Sequence, residues 1–343
     1  MKVLIYFQPP KGHDVYEGTR LRKTLKGACE IGGVTWVDSF LAFPEIVHFL
    51  SPDDESKVND AGLDGSKMVF SVGYCESDPN ARFFDYPKDG LPTLKWKSSR
   101  VLAKAAAVLC PNEVIAASIK DQGVTAPIKI LPPSVNLTRF EFASPAERNV
   151  FKRYFGIRDE EKYVVSAGDY ADRKVLDLLK EIAGLCPKVK FFFFGTKKHG
   201  ALYALQLRHY TRKAPKNLCF NPIVEDDVYR SAMLNASCYL LLNNAHPDCQ
   251  TLFDAFAAKT QVVAYGNQKC NPILKNKENC YIVSSPQKAA KLIESLSQGL
   301  EKATIMQGYL LAKQNSLSSL AKKLKAVYAD LLKETDNMED TAQ

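Results

Sequence analysis

The sequence has no run of 18 apolar residues, no Cys-x-x-Cys pair, no Asp-x-Asp triplet and no short-period repeat. Each absence removes a class. Without a long apolar run no helix is expected to span a membrane. The opening MKVLIYFQPP is too short and too β-branched for a secretory leader. Nine cysteines are scattered and odd in number. They fit neither a disulfide framework nor a zinc site and read as reduced thiols of the cytoplasm, several in apolar strand-like settings (Cys110, Cys219, Cys238). No RNA-binding aromatic motif or helix-turn-helix signature appears, so nucleic acid is not the expected partner. The acidic run Asp53-Asp54-Glu55 follows a proline and reads as a solvated loop or helix start, leaving no carboxylate set for a metal.

What is present is a large apolar fraction, 46% of 343 residues, and a net charge of +8. The first supplies a core for one or two domains. The second favours anionic partners such as a nucleotide, nucleic acid or anionic lipid.

The most informative stretch is 163–195, YVVSAGDYADRKVLDLLKEIAGLCPKVKFFFFG. An apolar run ends at Gly168. A polar loop leads to Arg173-Lys174, and a helix-period segment follows. A second apolar run stops at Gly195. This is a β-loop-α-β unit with two cations at the start of its helix. Parallel sheets bind ligands beyond the carboxyl ends of their strands, and guanidinium and ammonium groups there suit a diphosphate. The other reading is a solvated Arg-Lys pair.

Similar units fill the chain. Strands are expected at Val3–Phe7, Val34–Val37, Ile46–Leu50, Met68–Val72, Ala107–Cys110 and Ile128–Leu131, with helices at Tyr16–Cys29, Leu94–Ala106 and Asn112–Asp121. After Pro132-Pro133 come strands at Tyr163–Ala167, Val189–Phe194, Leu218–Phe220, Cys238–Leu242, Gln261–Ala264 and Cys280–Val283, and closing helices over 286–333. Continuous apolar strands between helices mean parallel sheets covered on both faces. The predicted fold is α/β, two Rossmann-like doubly wound domains facing a cleft. Residues 1–140 form the first, 141–330 the second, and 331–343 an acidic tail.

Five segments, in order, resemble the family 4 retaining glycosyltransferases of GT-B architecture. They are AAAVLCPNEVIAASIKDQGV (105–124), ILPPSVNLTRFEF (130–142), VVSAGDYADRK (164–174), NLCFNPIVEDDVYRSAMLNASCYLLLN (217–243) and PDCQTLFDAFAAKTQVVAYG (247–266). KGHDVYEGTR (11–20) is similar to the opening turn of bacterial enzymes that extend glucosyl-diacylglycerol. The resemblance implies transfer of a hexose from a nucleotide-sugar, a UDP-hexose, to a glycolipid acceptor with retention. It implies no metal or other cofactor.

Site residues follow from the same resemblance. Arg173 and Lys174, beside Gly168, would neutralise the diphosphate. Gly12 and His13, in the first βα turn, would face the donor from the other domain. Backbone groups at Ile223 and Val224 would pair with the base. Asp254, at the start of the helix-like DAFAA, stands at the acidic motif's second position and would hold the ribose hydroxyls; the other reading is a helix N-terminal carboxylate stabilising the dipole. At its first position stands His246, with Asp248 two residues on as a stand-in carboxylate. Where relatives carry a histidine after the fourth strand this chain has Gly73-Tyr74-Cys75-Glu76, so Glu76 or Asp78 would take the polar role. His246, Asp248 and Glu76 are thus the catalytic candidates. These substitutions also admit a catalytically impaired paralogue that partners or regulates an active transferase.

Residues 93–106, TLKWKSSRVLAKAA, interleave Lys95, Lys97, Arg100 and Lys104 with Leu94, Trp96, Val101 and Leu102. On a helix these make basic and apolar sectors with an interfacial tryptophan. Tyr16–Cys29 adds Arg20, Arg22, Lys23 and Lys26. An anionic membrane surface is the expected partner, placing the protein peripherally on the inner face of the cell membrane. Residues 1–140 carry 17 Lys+Arg against 16 Asp+Glu, so the attraction has to be local. Two core-packed helices with solvated basic faces, or a soluble transferase with a protein or polysaccharide acceptor, account for the same pattern.

Overall fold

A computed structural model of the chain describes residues 1–8, 16–52, 54–73, 82–85, 92–170, 172–196, 201–221, 224–242, 250–266, 268, 271–299 and 304–340. It contains two six-stranded parallel sheets. The first is built from β1 (Lys2–Tyr6), β2 (Thr35–Val37), β3 (Ile46–Phe49), β4 (Lys67–Ser71), β7 (Ala107–Cys110) and β8 (Ile128–Ile130), in the order β2-β1-β3-β4-β7-β8. A two-stranded ribbon, β5 (Phe84–Asp85) with β6 (Thr93–Leu94), intervenes. The second holds β9 (Tyr163–Asp169), β10 (Lys190–Thr196), β11 (Leu218–Asn221), β12 (Cys238–Leu241), β13 (Val262–Tyr265) and β14 (Tyr281–Val283), in the order β11-β10-β9-β12-β13-β14.

The helices of the first half are α1 (Tyr16–Gly32), α2 (Glu55–Leu63), α3 (Trp96–Leu102) and α4 (Glu113–Asp121). The crossing to the second half carries α5 (Thr138–Glu141), α6 (Pro145–Arg148) and α7 (Val150–Phe155). Then come α8 (Arg173–Leu185), α9 (Ala201–Thr211), α10 (Asp226–Asn235), α11 (Gln250–Ala257), α12 (Pro286–Ser297), α13 (Ile305–Gln314) and α14 (Leu317–Asp340).

The strands lie where the apolar runs predict, and for a physical reason. Each sheet is buried on both faces by separate apolar clusters, so a central strand has no solvent side and no alternation. The run through Tyr163 extends past Gly168 to Asp169, because Gly168 pairs with Gly195 and Asp169 with Thr196 on β10.

Two expectations need correction. Leu94–Ala106 is not one helix. Leu94 pairs with Phe84 in the ribbon, and only Trp96–Leu102 is helical, burying Ser98, Val101 and Leu102. The apolar residues of that segment serve two elements, which periodicity alone merges. The last helix also leaves the second sheet to which sequence assigned it. Leu320, Ala321, Leu324, Tyr328 and Leu331 of α14 pack into the cluster of Val3, Ile5, Leu25 and Ala28. It runs on to Asp340, into the segment read as a tail.

A buried polar relay anchors α14. His48 of β3 lies with Nδ1 2.8 Å from the Tyr328 hydroxyl and Nε2 2.7 Å from Ser71 Oγ. Burial pushes the imidazole pKa down from 6.5 to about 3, so the ring is neutral. The chain crosses between the sheets twice, side by side: the Val135 amide donates to Asn315 O (3.1 Å) and the Leu317 amide to Val135 O (3.0 Å).

Candidate active site

The strand order of the second sheet reverses direction between β9 and β12. In open parallel sheets the crevice beyond the carboxyl ends at such a point receives the ligand. Gly168 lies at the end of β9, and α8 starts five residues on. Asp172 caps α8, its side chain accepting from the Val175 amide at 3.1 Å. Arg173 is the first helical residue and half-buried, and Lys174 beside it is exposed. The sequence pattern thus places a cation pair at the mouth of the switch point, on a helix end whose amides favour anions.

Tyr170 roofs this edge. Its ring packs edge-on against Phe193 at 5.3 Å between centroids, and its hydroxyl donates to Asn221 O at 2.5 Å. It therefore ties the exit of β9 to the exit of β11. A Cβ on Gly195 would stand 2.8 Å from the Tyr170 ring and 2.7 Å from Phe193. Gly195 is needed for that close approach. Val224 is half-buried against the cluster under β9 and β12.

Asp254 is not at a helix start, as sequence suggested, but in the middle of α11, every residue of which is buried. Its carboxylate is 1% exposed. Oδ2 accepts from Arg20 Nη2 of α1 and from the Tyr229 hydroxyl of α10 at 3.1 Å. Oδ1 lies 3.7 Å from Arg139 Nη1 of α5. Arg139 also pairs with Asp226, and the Arg20 guanidinium lies 5.8 Å from the Tyr229 ring centroid. One carboxylate collects two arginines and a phenol from three separate segments.

Sequence reasoning missed this cluster. It gave Arg20 to the membrane face, and Arg139 and Tyr229 had no role beyond the quoted motifs. Two further cations of α1 are also engaged by neighbouring groups. Arg22 donates to Ile5 O (3.1 Å) and Asp38 (3.2 Å). Lys26 reaches Asp38 at 2.5 Å and lies 3.8 Å from the Trp36 ring centroid. Of the four, only Lys23 is exposed. On the shortened α3, Trp96 is 70% exposed and the Arg100 guanidinium lies 5.1 Å from its ring centroid.

Between the two sheets is a cavity of about 50 Å³ lined by Leu21, Thr24, Ser71, Leu109, Ser134 and Gln250 among others. The expected site residues Gly12, His13, Glu76, Ile223, His246 and Asp248 lie outside the described residues. Among the described residues no group of three His, Cys, Asp or Glu side chains could hold a metal ion, and no helix is long and apolar enough to cross a membrane.

Residues 147–309 match the family model described as Glycosyl transferases group 1. This stretch contains all of the second sheet and its ligand edge. Over the whole chain the architecture is similar to that of Anabaena HepE, whose structure is of a complex with UDP-glucose. That likeness has a TM-score of 0.71 at 12% identity and covers 96% of this chain and 100% of that one. A glycosyltransferase from Rickettsia africae aligns with a TM-score of 0.66 at 11% identity, covering 97% and 98%. The fold is GT-B. A processive diacylglycerol α-glucosyltransferase of Acholeplasma laidlawii is 25% identical over 216 residues, 61% of this chain and 63% of the relative's length.

Proposed function

We propose that this GT-B protein transfers a hexose from a UDP-sugar to a glycolipid such as glucosyl-diacylglycerol, with retention of configuration as in family 4. The carrying observation is the coincidence of the group 1 match, residues 147–309, with a switch point whose edge presents Gly168, Arg173 and Lys174. The second half, residues 141–330, takes the donor. Arg173 and Lys174 neutralise the leaving diphosphate, a task for which charge-assisted contacts suffice without a metal. Asp254 receives the ribose hydroxyls, Val224 and Ile223 border the base, and Gly12 and His13 approach from the first half. His246, Asp248 and Glu76 stand around the reacting sugar.

The likeness to a diacylglycerol glucosyltransferase supports the lipid acceptor. The exposed Trp96, beside Lys97 and Arg100, supports docking of residues 1–140 on the cytoplasmic membrane face. The test is a screen of the purified protein with several nucleotide-sugars, with and without glucosyl-diacylglycerol in vesicles, in EDTA and in manganese. Glycolipid elongation in EDTA is expected. Donor binding without transfer to any lipid, protein or glycan would favour the impaired paralogue. Transfer only to a soluble acceptor removes the membrane assignment.

A further inference from the structure

Arg20 and Asp254 are 234 residues apart in sequence and belong to helices of different sheets, α1 and α11. Their ion pair spans the two halves. It uses the same carboxylate that the proposed function gives to the donor ribose. That carboxylate is 1% exposed, so the room around it is already taken. Oδ2 is occupied by Arg20 and Tyr229, and Arg139 stands by Oδ1. A ribose diol cannot reach Asp254 while Arg20 keeps its place.

From this competition we propose that Arg20 is a donor-displaced pin: it holds α1 against α11 in the empty protein and yields Asp254 to the nucleotide's ribose on binding. The inference rests on the ribose role of Asp254. Arg20 is suited to the part. Its guanidinium leans 5.8 Å from the Tyr229 ring centroid, a face on which a displaced cation can rest. Arg139 is held by Asp226 as well as by Asp254, so the carboxylate keeps one cationic neighbour after Arg20 leaves. Because a ligand shifts an equilibrium only by its differential affinity for the two states, part of the donor's binding free energy is used in breaking the pin.

The two ends of the pair should therefore respond with opposite signs. Arg20→Gln should bind UDP about five- to tenfold more tightly than the parent, and Arg20→Lys should fall between. Asp254→Asn should bind UDP at least tenfold more weakly. Without UDP, amide hydrogen exchange at residues 16–32 and 250–257 should be faster in Arg20→Gln than in the parent, at a temperature where both are folded. Adding UDP to the parent should raise exchange at 16–32 towards the Arg20→Gln level. UDP affinity in Arg20→Gln equal to or weaker than the parent's, with Asp254→Asn weakened, overturns the pin and leaves the ribose role standing. Unchanged UDP affinity in Asp254→Asn removes the ribose role. If no nucleotide binds the parent, the donor reading fails, and unchanged exchange in Arg20→Gln then removes the interdomain pin as well.

Discussion

α1 and α8 occupy comparable places. Each follows the first strand of its sheet and begins at that sheet's carboxyl edge, and each carries cations. They use them differently. Arg20, Arg22 and Lys26 of α1 are bound to Asp254, Asp38 and a backbone carbonyl. Arg173 and Lys174 of α8 stand in the first turn behind an aspartate cap, Lys174 exposed. Charge counting does not separate the two. A cation's partners decide its role, and partners on other segments are invisible to composition. Three of the four cations on the basic face expected of α1 are engaged by neighbouring segments, and the pair on α8 lies at the edge where a parallel sheet takes its ligand.

The comparison can be broken most forcefully through stability, because the first half is tied to α14 by a buried imidazole. His48 is neutral when folded, with its pKa held near 3, and titrates near 6.5 when unfolded. The folded value is the lower one, so the unfolded chain binds the extra proton as pH falls below 6.5. Stability should drop by about 1.4 kcal/mol per unit until about pH 3. The whole window is worth about 5 kcal/mol. Denaturant melts from pH 7 to 4 should show a flatter acid limb for His48→Gln than for the parent. Equal slopes would place the acid sensitivity elsewhere.

Next is the α8 pair. Losing one charge-assisted contact costs about 1.5–3 kcal/mol, so Arg173→Ala should weaken UDP roughly ten- to hundredfold. Arg22→Ala should leave UDP affinity alone while lowering stability. Calorimetric titration of both decides, and equal losses would erase the distinction between the helices.

A smaller effect is expected at Gly195. A methyl there overlaps Tyr170 and Phe193, and overpacking costs about 1–3 kcal/mol. Gly195→Ala should melt lower than the parent, and a bound nucleotide should recover part of the loss. Unchanged stability would mean that the roof over β10 is loose.

The smallest effect concerns α3. Lys95→Glu/Lys97→Glu should leave folding and UDP affinity intact and abolish salt-sensitive sedimentation with anionic vesicles, each cation near such a surface being worth about 1 kcal/mol. Full co-sedimentation of the double variant would class this helix with α1 as basic without function at a surface.

The strands and the cation pair on α8 were legible because both are local. A two-faced strand has to be apolar throughout, and a cap followed by Arg-Lys sits at a helix start whatever the rest of the chain does. Asp254's position in the helix was misread because the preceding residues Gln250–Phe253 carry no start signal. Its partners are set by the docking of two sheets. Leu94 was merged into α3 because a two-residue strand has no period of its own. α14 was assigned to the wrong sheet because an apolar face states that it will be covered, and never by what.

The paired crossings at Val135 and Ser316 give this chain the topology of a closed loop. Its first and last elements meet on one sheet while its middle forms the other. A single cleavage at Pro132–Ser134 would leave the halves joined through residues 315–317 and clasped by α14. Two adjacent tethers resist twisting of the halves more than they resist rocking. Loss of α14 would remove this guide and uncover Val3, Ile5 and Leu25 together.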